Sequence, residues 1–241
     1  MPRFYLPQPL AIGAVVALPE PLVRHLHVLR MENGAQLTLF NGEGGEYTAS
    51  LESIDKRRAE AGIKTFSPRE AELPYALTLA QALPEASKMD WIIEKAVELG
   101  VTAFEPLAAQ RSVVKLSAER AERRASHWEA IIVAACEQCG RNRLPHLSSP
   151  APFADWVGRH NIHRRILLTP RASQSLSDWA RHHPPQAVAL TIGPEGGFSD
   201  EEEALAQHHG LLALSLGERV LRTETAGIVA LAAINAIWGQ L

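Results

Sequence analysis

Residues 191–198 read TIGPEGGF, and this stretch decides the class of fold. The apolar run of residues 188–192 is short, as strands buried in parallel sheets are. It stops at Gly193-Pro194-Glu195-Gly196-Gly197. Ser199 or Asp200 then caps a helix whose first turn carries Glu201, Glu202 and Glu203, favourable at the positive end of the helix dipole. A strand running through a glycine loop into a helix belongs to an open α/β sheet, where ligands bind just past the carboxyl ends of strands. The glycines bare the backbone for a ligand, although a turn serving geometry alone needs them equally. A Walker loop requires a Lys-Ser/Thr pair and a Rossmann fingerprint requires G-x-G-x-x-G; neither is present. The four acidic residues 200–203 disfavour a phosphate and suit a neutral or cationic ligand.

Residues 214–226, LSLGERVLRTETA, repeat the arrangement. A strand over 211–216 ends at Gly217, and a loop with Arg219 and Arg222 enters the final helix at Thr223, Glu224 and Thr225. If the two strands are neighbours, both loops line one pocket; the alternative is a surface loop with a helix cap at Thr223. Upstream, residues 76–82 (ALTLAQA), 101–107 and 166–169 read as further buried strands. Ser87 and Asp90 have capping-box spacing ahead of a helix with a stripe of Ile92, Ile93, Ala96, Val97 and Leu99, stopped by Gly100. A long helix over 117–139 turns Trp128, Ile131, Ile132 and Ala135 inward. The final helix, 223–238, is apolar almost all round, which places it between layers or at a subunit interface.

The first 66 residues read mostly as strand, at 35–40, 47–54 and 61–66, with turn chemistry at Asn41-Gly42-Glu43-Gly44-Gly45 and one short helix over 21–29. That pattern predicts a small β-barrel with a helical plug. Residues 67–74 (SPREAELP) read as the linker, dividing the chain into domains 1–70 and 74–241.

The 241 residues carry a net charge of -3, which by itself argues against a nucleic-acid partner. The charge is uneven, however. Nineteen of the 24 basic residues are Arg, the planar fork suited to phosphates and base edges. Residues 110–171 hold eleven basic side chains against five acidic ones, and residues 199–224 six acidic against two basic. A local basic surface can bind RNA on a slightly acidic chain, and a solvated Arg-rich helix gives the same count. Cys136 and Cys139 form a lone C-x-x-C, too little for a structural zinc site, and the His25/His27, His182-His183 and His208-His209 groups lack the spacing of a metal centre. No apolar run reaches the roughly 18 residues of a membrane span, and no signal peptide is visible, so the chain reads as cytoplasmic.

GPEGGF followed by LGERVLRTETA resembles the RsmE-type 16S rRNA uridine-N3 methyltransferases of the SPOUT superfamily. The resemblance extends over nearly the whole chain: RFYL and HLHVLRM at the N-terminus, then KMDWIIEKAVELGV, PLAAQRSVVK and AACEQCGR in order. Cys139 stands where a small residue such as Ser is expected. The resemblance implies a PUA-like RNA-binding barrel before an α/β, trefoil-knotted methyltransferase domain with a mostly parallel sheet, in a homodimer without metal. It implies an S-adenosyl-L-methionine site at Leu168, Thr169, Pro170, Gly193, Pro194, Glu195, Gly196, Gly197, Leu216, Gly217, Val220, Leu221, Arg222 and Thr223. The partner is 16S rRNA in the small ribosomal subunit, with Arg3, Arg24, Arg30, Arg111 and Arg141 as candidate contacts. For transfer to uridine N3, Arg222 is the candidate donor to the developing oxyanion and Glu224 a candidate base, or else a first-turn carboxylate that merely stabilises its helix. A different SPOUT methylation, at a ribose 2′-oxygen or guanine N1, and an RNA-binding module without catalysis are the alternatives.

Overall fold

The structure is a computed structural model that describes residues 1–85, 87–112, 118–159 and 164–241. The chain forms two compact units, Met1–Glu72 with Cys136–Leu144, and Leu73–Ala135 with Pro145–Leu241.

The first unit holds β1 (Arg3–Tyr5), β2 (Val15–Ala17), α1 (Glu20–Val28), β3 (Gln36–Phe40), β4 (Glu46–Ile54) and β5 (Ala59–Ser67). The five strands form one sheet in the order β1-β3-β4-β5-β2, parallel at β1-β3 and antiparallel elsewhere. Every strand and α1 contribute to one core that includes Phe4, Val16, Leu26, Leu37, Leu51 and Ile63. The three longer strands and the helix are those expected from alternation and periodicity. The three-residue strands β1 and β2 carry no period of their own and exist through pairing with β3 and β5.

The second unit alternates strand and helix: β6 (Leu77–Ala82), α2 (Lys88–Glu98), β7 (Ala103–Ala108), α3 (Ala118–Cys139, whose last turn lies in the first unit), β8 (His146–Leu147), β9 (Ala151–Pro152), α4 (Phe153–Val157), β10 (Arg164–Leu168), α5 (Leu176–Arg181), β11 (Val188–Ile192), α6 (Asp200–His208), β12 (Leu212–Leu214) and α7 (Thr223–Ile237). The sheet runs β12-β10-β11-β6-β7-β8, with β9 also on β7, and all its pairs are parallel. Successive side chains of a strand face opposite ways. Ala80, Ala82, Leu167 and Ala189 therefore meet Phe153, Trp156, Phe198 and Ala206 of one layer. Leu79, Gln81 and Ile192 face α7 on the other side, close enough that a side chain at Gly227 would touch all three.

Three expectations change. Ser87 makes no side-chain cap; Asp90 instead accepts from Trp128 Nε1 at 3.2 Å and pairs with His127 Nε2 at 2.9 Å, so tertiary partners displace the capping box. Ile131 is only half-buried, whereas Trp128, Ile132 and Ala135 are core. In α7, Leu231 and Ile234 are fully buried by the chain's own α2, α5 and sheet, and Val229 is the large apolar residue that faces outward. Residue Ser117 lies outside the described residues.

Candidate functional site

Strands β10, β11 and β12 are neighbours, and their carboxyl ends open into a cavity of about 580 Å³. That is the size of a small-molecule or cofactor pocket. Its wall includes Leu168, Thr169 and Pro170 after β10, Gly193 to Gly197 after β11, and Leu216, Gly217, Val220, Leu221, Arg222 and Thr223 after β12. Every residue named from sequence for the cofactor lines this one space. The sequence reading missed Lys88, Arg171, Ile192, Phe198, Glu203 and Ala226, which line it too.

The Gly193–Gly197 loop is tied on both sides. Gly197 has φ +68, a conformation glycine adopts freely, and its N–H closes a turn onto Pro194 O at 2.8 Å. A Cβ at Gly193 would lie 3.1 Å from the Phe198 nitrogen and 3.2 Å from Gly197 backbone atoms, so the turn is too tight there for a side chain. Arg111 Nη1 donates to Gly196 O at 2.9 Å and to Phe198 O at 3.3 Å. Glu195 accepts from Lys88 Nζ at 2.6 Å and from the Glu85 N–H at 3.0 Å. Burial alone would raise the Glu195 pKa, but these hydrogen bonds outweigh it and hold the carboxyl below its usual range.

The acidic start of α6 is internally compensated. Ser199 and Glu202 form a reciprocal capping box, at 3.2 and 2.9 Å. Arg171 pairs with Asp200 and, at 3.2 Å, with Glu203, which also accepts from Thr169 Oγ1 at 3.0 Å.

At the start of α7 the polar groups are arranged in a buried chain. Gln81 Nε2 donates to Thr223 Oγ1 at 2.9 Å, and Thr223 Oγ1 donates to Gly193 O at 2.6 Å. This links the end of β6, the glycine loop and α7. Arg222, the N-cap residue, is exposed, and among the described residues no hydrogen bond or ion pair engages its guanidinium. Glu224 is half-buried; its Oε2 is shielded from solvent and has no hydrogen-bond partner. A shielded carboxylate oxygen on a cavity wall is costly unless something fills that cavity. The Glu224 geometry is thus not that of a plain exposed first-turn carboxylate.

The five arginines singled out for RNA separate. Arg24 and Arg30 are exposed. Arg111 lines the cavity and spends its donors on loop carbonyls. Arg141 is only 3% exposed and makes a bidentate pair with Glu72, at 3.0 and 2.5 Å. Arg3 pairs with Glu46 and donates to Asn142 Oδ1 at 2.7 Å. Arg3 and Arg141 therefore act as internal ties of the first unit, because buried guanidinium groups need protein acceptors. Cys136 is fully buried, with burial pushing its thiol up to about 12, so it is a packing residue. Among the described residues no group of three or more His, Cys, Asp or Glu side chains is placed to hold a metal, and no helix is long and apolar enough to cross a membrane.

An RNA methyltransferase domain family matches residues 71–235, and an RNA methyltransferase PUA domain family matches residues 18–64. Ribosomal RNA small subunit methyltransferase E of Synechocystis sp. is 36% identical, over 94% of this chain and 74% of its own. A Neisseria gonorrhoeae protein of that name, solved with S-adenosyl methionine bound, is 38% identical with TM-score 0.92, covering 99% of this chain and 98% of the other. A Legionella pneumophila structure with bound SAM is 42% identical with TM-score 0.92, covering 97% and 96%.

Proposed function

This chain belongs to the RNA methyltransferase family of the ribosomal RNA small subunit methyltransferase E type, and on that premise we propose that it transfers a methyl group from S-adenosylmethionine to N3 of a uridine in 16S rRNA. The observation that carries the reading is the convergence of three strand-end loops and the start of α7, with Arg222 and Glu224, on one cavity.

The cavity suits the cofactor. Its size fits, its glycine loop exposes backbone, and the unpartnered Glu224 Oε2 provides an acceptor that a cationic or hydrogen-bonding group would satisfy. Leu168 to Pro170, Gly193 to Gly197 and Leu216 to Thr223 would hold it. When bound, it supplies an electrophilic methyl on a sulfonium; the chain must align and activate the nucleophile.

The N3–H of uracil ionises about two units above neutrality, so removing it at pH 7 costs roughly 3 kcal/mol. Arg222 has no internal partner to compete for it, so it donates to a uracil carbonyl oxygen as negative charge develops. Glu224 Oε2, in the same wall, accepts the N3 proton directly or through water. Lys88, Arg111 and Arg171 are already bound to the glycine loop or to α6, which leaves Arg222 and Arg219 as the unengaged cations of the wall among the described residues, and Arg222 is the one at the start of α7 beside Glu224.

The reading includes two domains at about 1–70 and 74–241, a cytoplasmic location and a homodimer. The exposed Val220 and Val229 near α7 are its suggested contact. It includes the C-terminal knot that the resemblance implies. The deciding experiment incubates purified protein with labelled cofactor and small ribosomal subunits lacking the modification, then maps the labelled nucleoside. N3-methyluridine is expected; label at a ribose oxygen or a guanine refutes the N3 assignment.

A further inference from the structure

Three strand-end segments line the cavity, and they are held very differently. After β10, Thr169 N–H donates to Leu214 O at 3.0 Å and Thr169 Oγ1 to Glu203 of α6 at 3.0 Å. After β11, Gly197 N–H closes onto Pro194 O, and Arg111 and Lys88 bind the loop through their side chains. After β12, residues 216–221 (LGERVL) carry six N–H and six C=O groups. Among the described residues, none of these groups and no side chain of the segment makes a hydrogen bond or ion pair within the protein.

Both ends of the segment are fixed. Ser215 N–H donates to Gln174 O at 2.9 Å, and Ser215 O accepts from Leu176 N–H at 2.8 Å. Arg222 O accepts from Thr225 and Ala226 N–H at 3.0 and 2.9 Å as α7 begins. The span between hangs on these two points. Gly217 has φ +100 with nothing within 4 Å of where a side chain would stand, so glycine serves the turn of the chain there and not close packing. Residues 217–220 are exposed, and Val220, an aliphatic side chain on the cavity wall, is 82% exposed. An exposed segment without internal hydrogen bonds belongs to the low end of local stability, where ligand-binding loops are found. It carries Arg219 and leads directly into Arg222, the unengaged cations of the wall among the described residues.

We propose that bound cofactor sets the conformation of residues 216–221, and that the segment so set places Arg219 and Arg222 for the RNA, with Arg219 as a positioning residue. The cofactor then binds first and tightens the site for the second substrate. The proposal rests on the reading of the cavity as an S-adenosylmethionine site. The ligand meets backbone donors and acceptors that no protein group has claimed, and each bond it makes removes freedom from the segment. RNA arriving afterwards finds its cations already ordered, which is positive coupling between the two ligands. By linkage the coupling is the same whichever binds first.

The test is hydrogen–deuterium exchange of the whole chain with and without saturating S-adenosylhomocysteine, which lacks the transferable methyl, together with equilibrium binding of a small-subunit rRNA fragment under the same two conditions. Without ligand, the amides of residues 217–221 are expected to exchange close to the unstructured rate. With ligand they slow by about tenfold or more, the scale of one hydrogen bond each. Amides that exchange this fast report local order and not global stability. RNA affinity is expected to rise about fivefold or more when the ligand is bound. Arg219→Ala, measured at ligand saturation, should cut that gain to about twofold or less. Exchange that stays fast at saturation overturns the proposal, as does a segment already protected without ligand or an RNA affinity indifferent to it. A full gain retained in Arg219→Ala overturns the role of Arg219. Failure of S-adenosylhomocysteine to bind in calorimetry refutes the cofactor reading itself. Coupling as expected with the methyl delivered elsewhere than uridine N3 supports the proposal and refutes that assignment, so the two fail separately.

Discussion

Gln81 is a wholly buried amide in a strand whose only other polar residue is Thr78, and its replacement separates the stability of the fold from the organisation of the pocket. Its Nε2 donates to Ala82 O and Thr223 Oγ1, both at 2.9 Å, while its Oε1 is buried without a partner. Gln81→Leu loses hydrogen bonds worth about 1 kcal/mol each in net terms, and it removes an unsatisfied acceptor that costs about 1 to 3 kcal/mol. The terms nearly cancel, so unfolding free energy from urea titration should stay within about 1 kcal/mol of wild type. Thr223→Val keeps the shape but strips the donor from Gly193 O and the acceptor from Gln81 Nε2, leaving two buried groups short. It should cost about 2 to 3 kcal/mol. By calorimetry, Thr223→Val should also weaken S-adenosylmethionine about tenfold, the equivalent of one lost hydrogen bond's worth of loop positioning. Thr223→Ser, which keeps the hydroxyl, should restore most of that affinity. If Gln81→Leu is destabilised by much more than 2 kcal/mol, its Oε1 is satisfied in solution and the reasoning is wrong.

Three further outcomes are expected. Arg222→Ala should lower the single-turnover rate on saturating RNA by roughly a hundredfold, the scale of one oxyanion donor, with partial recovery as pH rises toward the uracil pKa; a change in RNA affinity alone would make Arg222 a positioning residue. Gly197→Val meets no atom within 4 Å but places a β-branched residue at φ +68, costing about 1 to 3 kcal/mol and weakening cofactor binding, whereas Gly193→Ala adds a backbone clash; unchanged affinity in the folded variants would remove the loop from the site. Val229→Asp should give a folded monomer on sedimentation, because Val229 is exposed while Ile234 is interior; a wild type that is already monomeric at micromolar concentration refutes the interface.

Much of the second unit was legible because its strands are continuous apolar runs ended by glycine. Residues 188–192 form β11 with the bounds read from sequence, and the final helix begins at Thr223 as expected. The pocket was legible for the same reason: strand ends in an open parallel sheet leave few places for a ligand. What was illegible depends on tertiary partners. Strands β1 and β2 have three residues each, and α5 has six, capped by Ser175, too short for a period to register. Nothing in Cys136–Leu144 signals that these residues pack with the N-terminal unit, because they are held there by Arg3–Asn142, Arg141–Glu72 and Glu137–Tyr5 contacts formed across more than sixty positions of sequence. The amide Gln81 in the strand ALTLAQA was the visible sign of the Gln81–Thr223–Gly193 chain.

Charge was the least legible property, because a count along the chain locates cations without their acceptors. The basic run of residues 110–171 drew attention to Arg111 and Arg141. Within it, Arg111 and Arg165 are spent on backbone carbonyls, and Arg141, Arg143, Arg159 and Arg171 on carboxylates. The Lys56-Arg57-Arg58 turn lies outside that run, yet none of its three cations has an ion pair among the described residues. A phosphate is attracted by charge that the protein has not already neutralised. Engaged arginines hold loops and helices in place, and unengaged ones meet the ligand. By that criterion Arg219 and Arg222 are the unengaged cations of the cavity wall among the described residues. Arg141, buried against Glu72, has its charge met inside the protein.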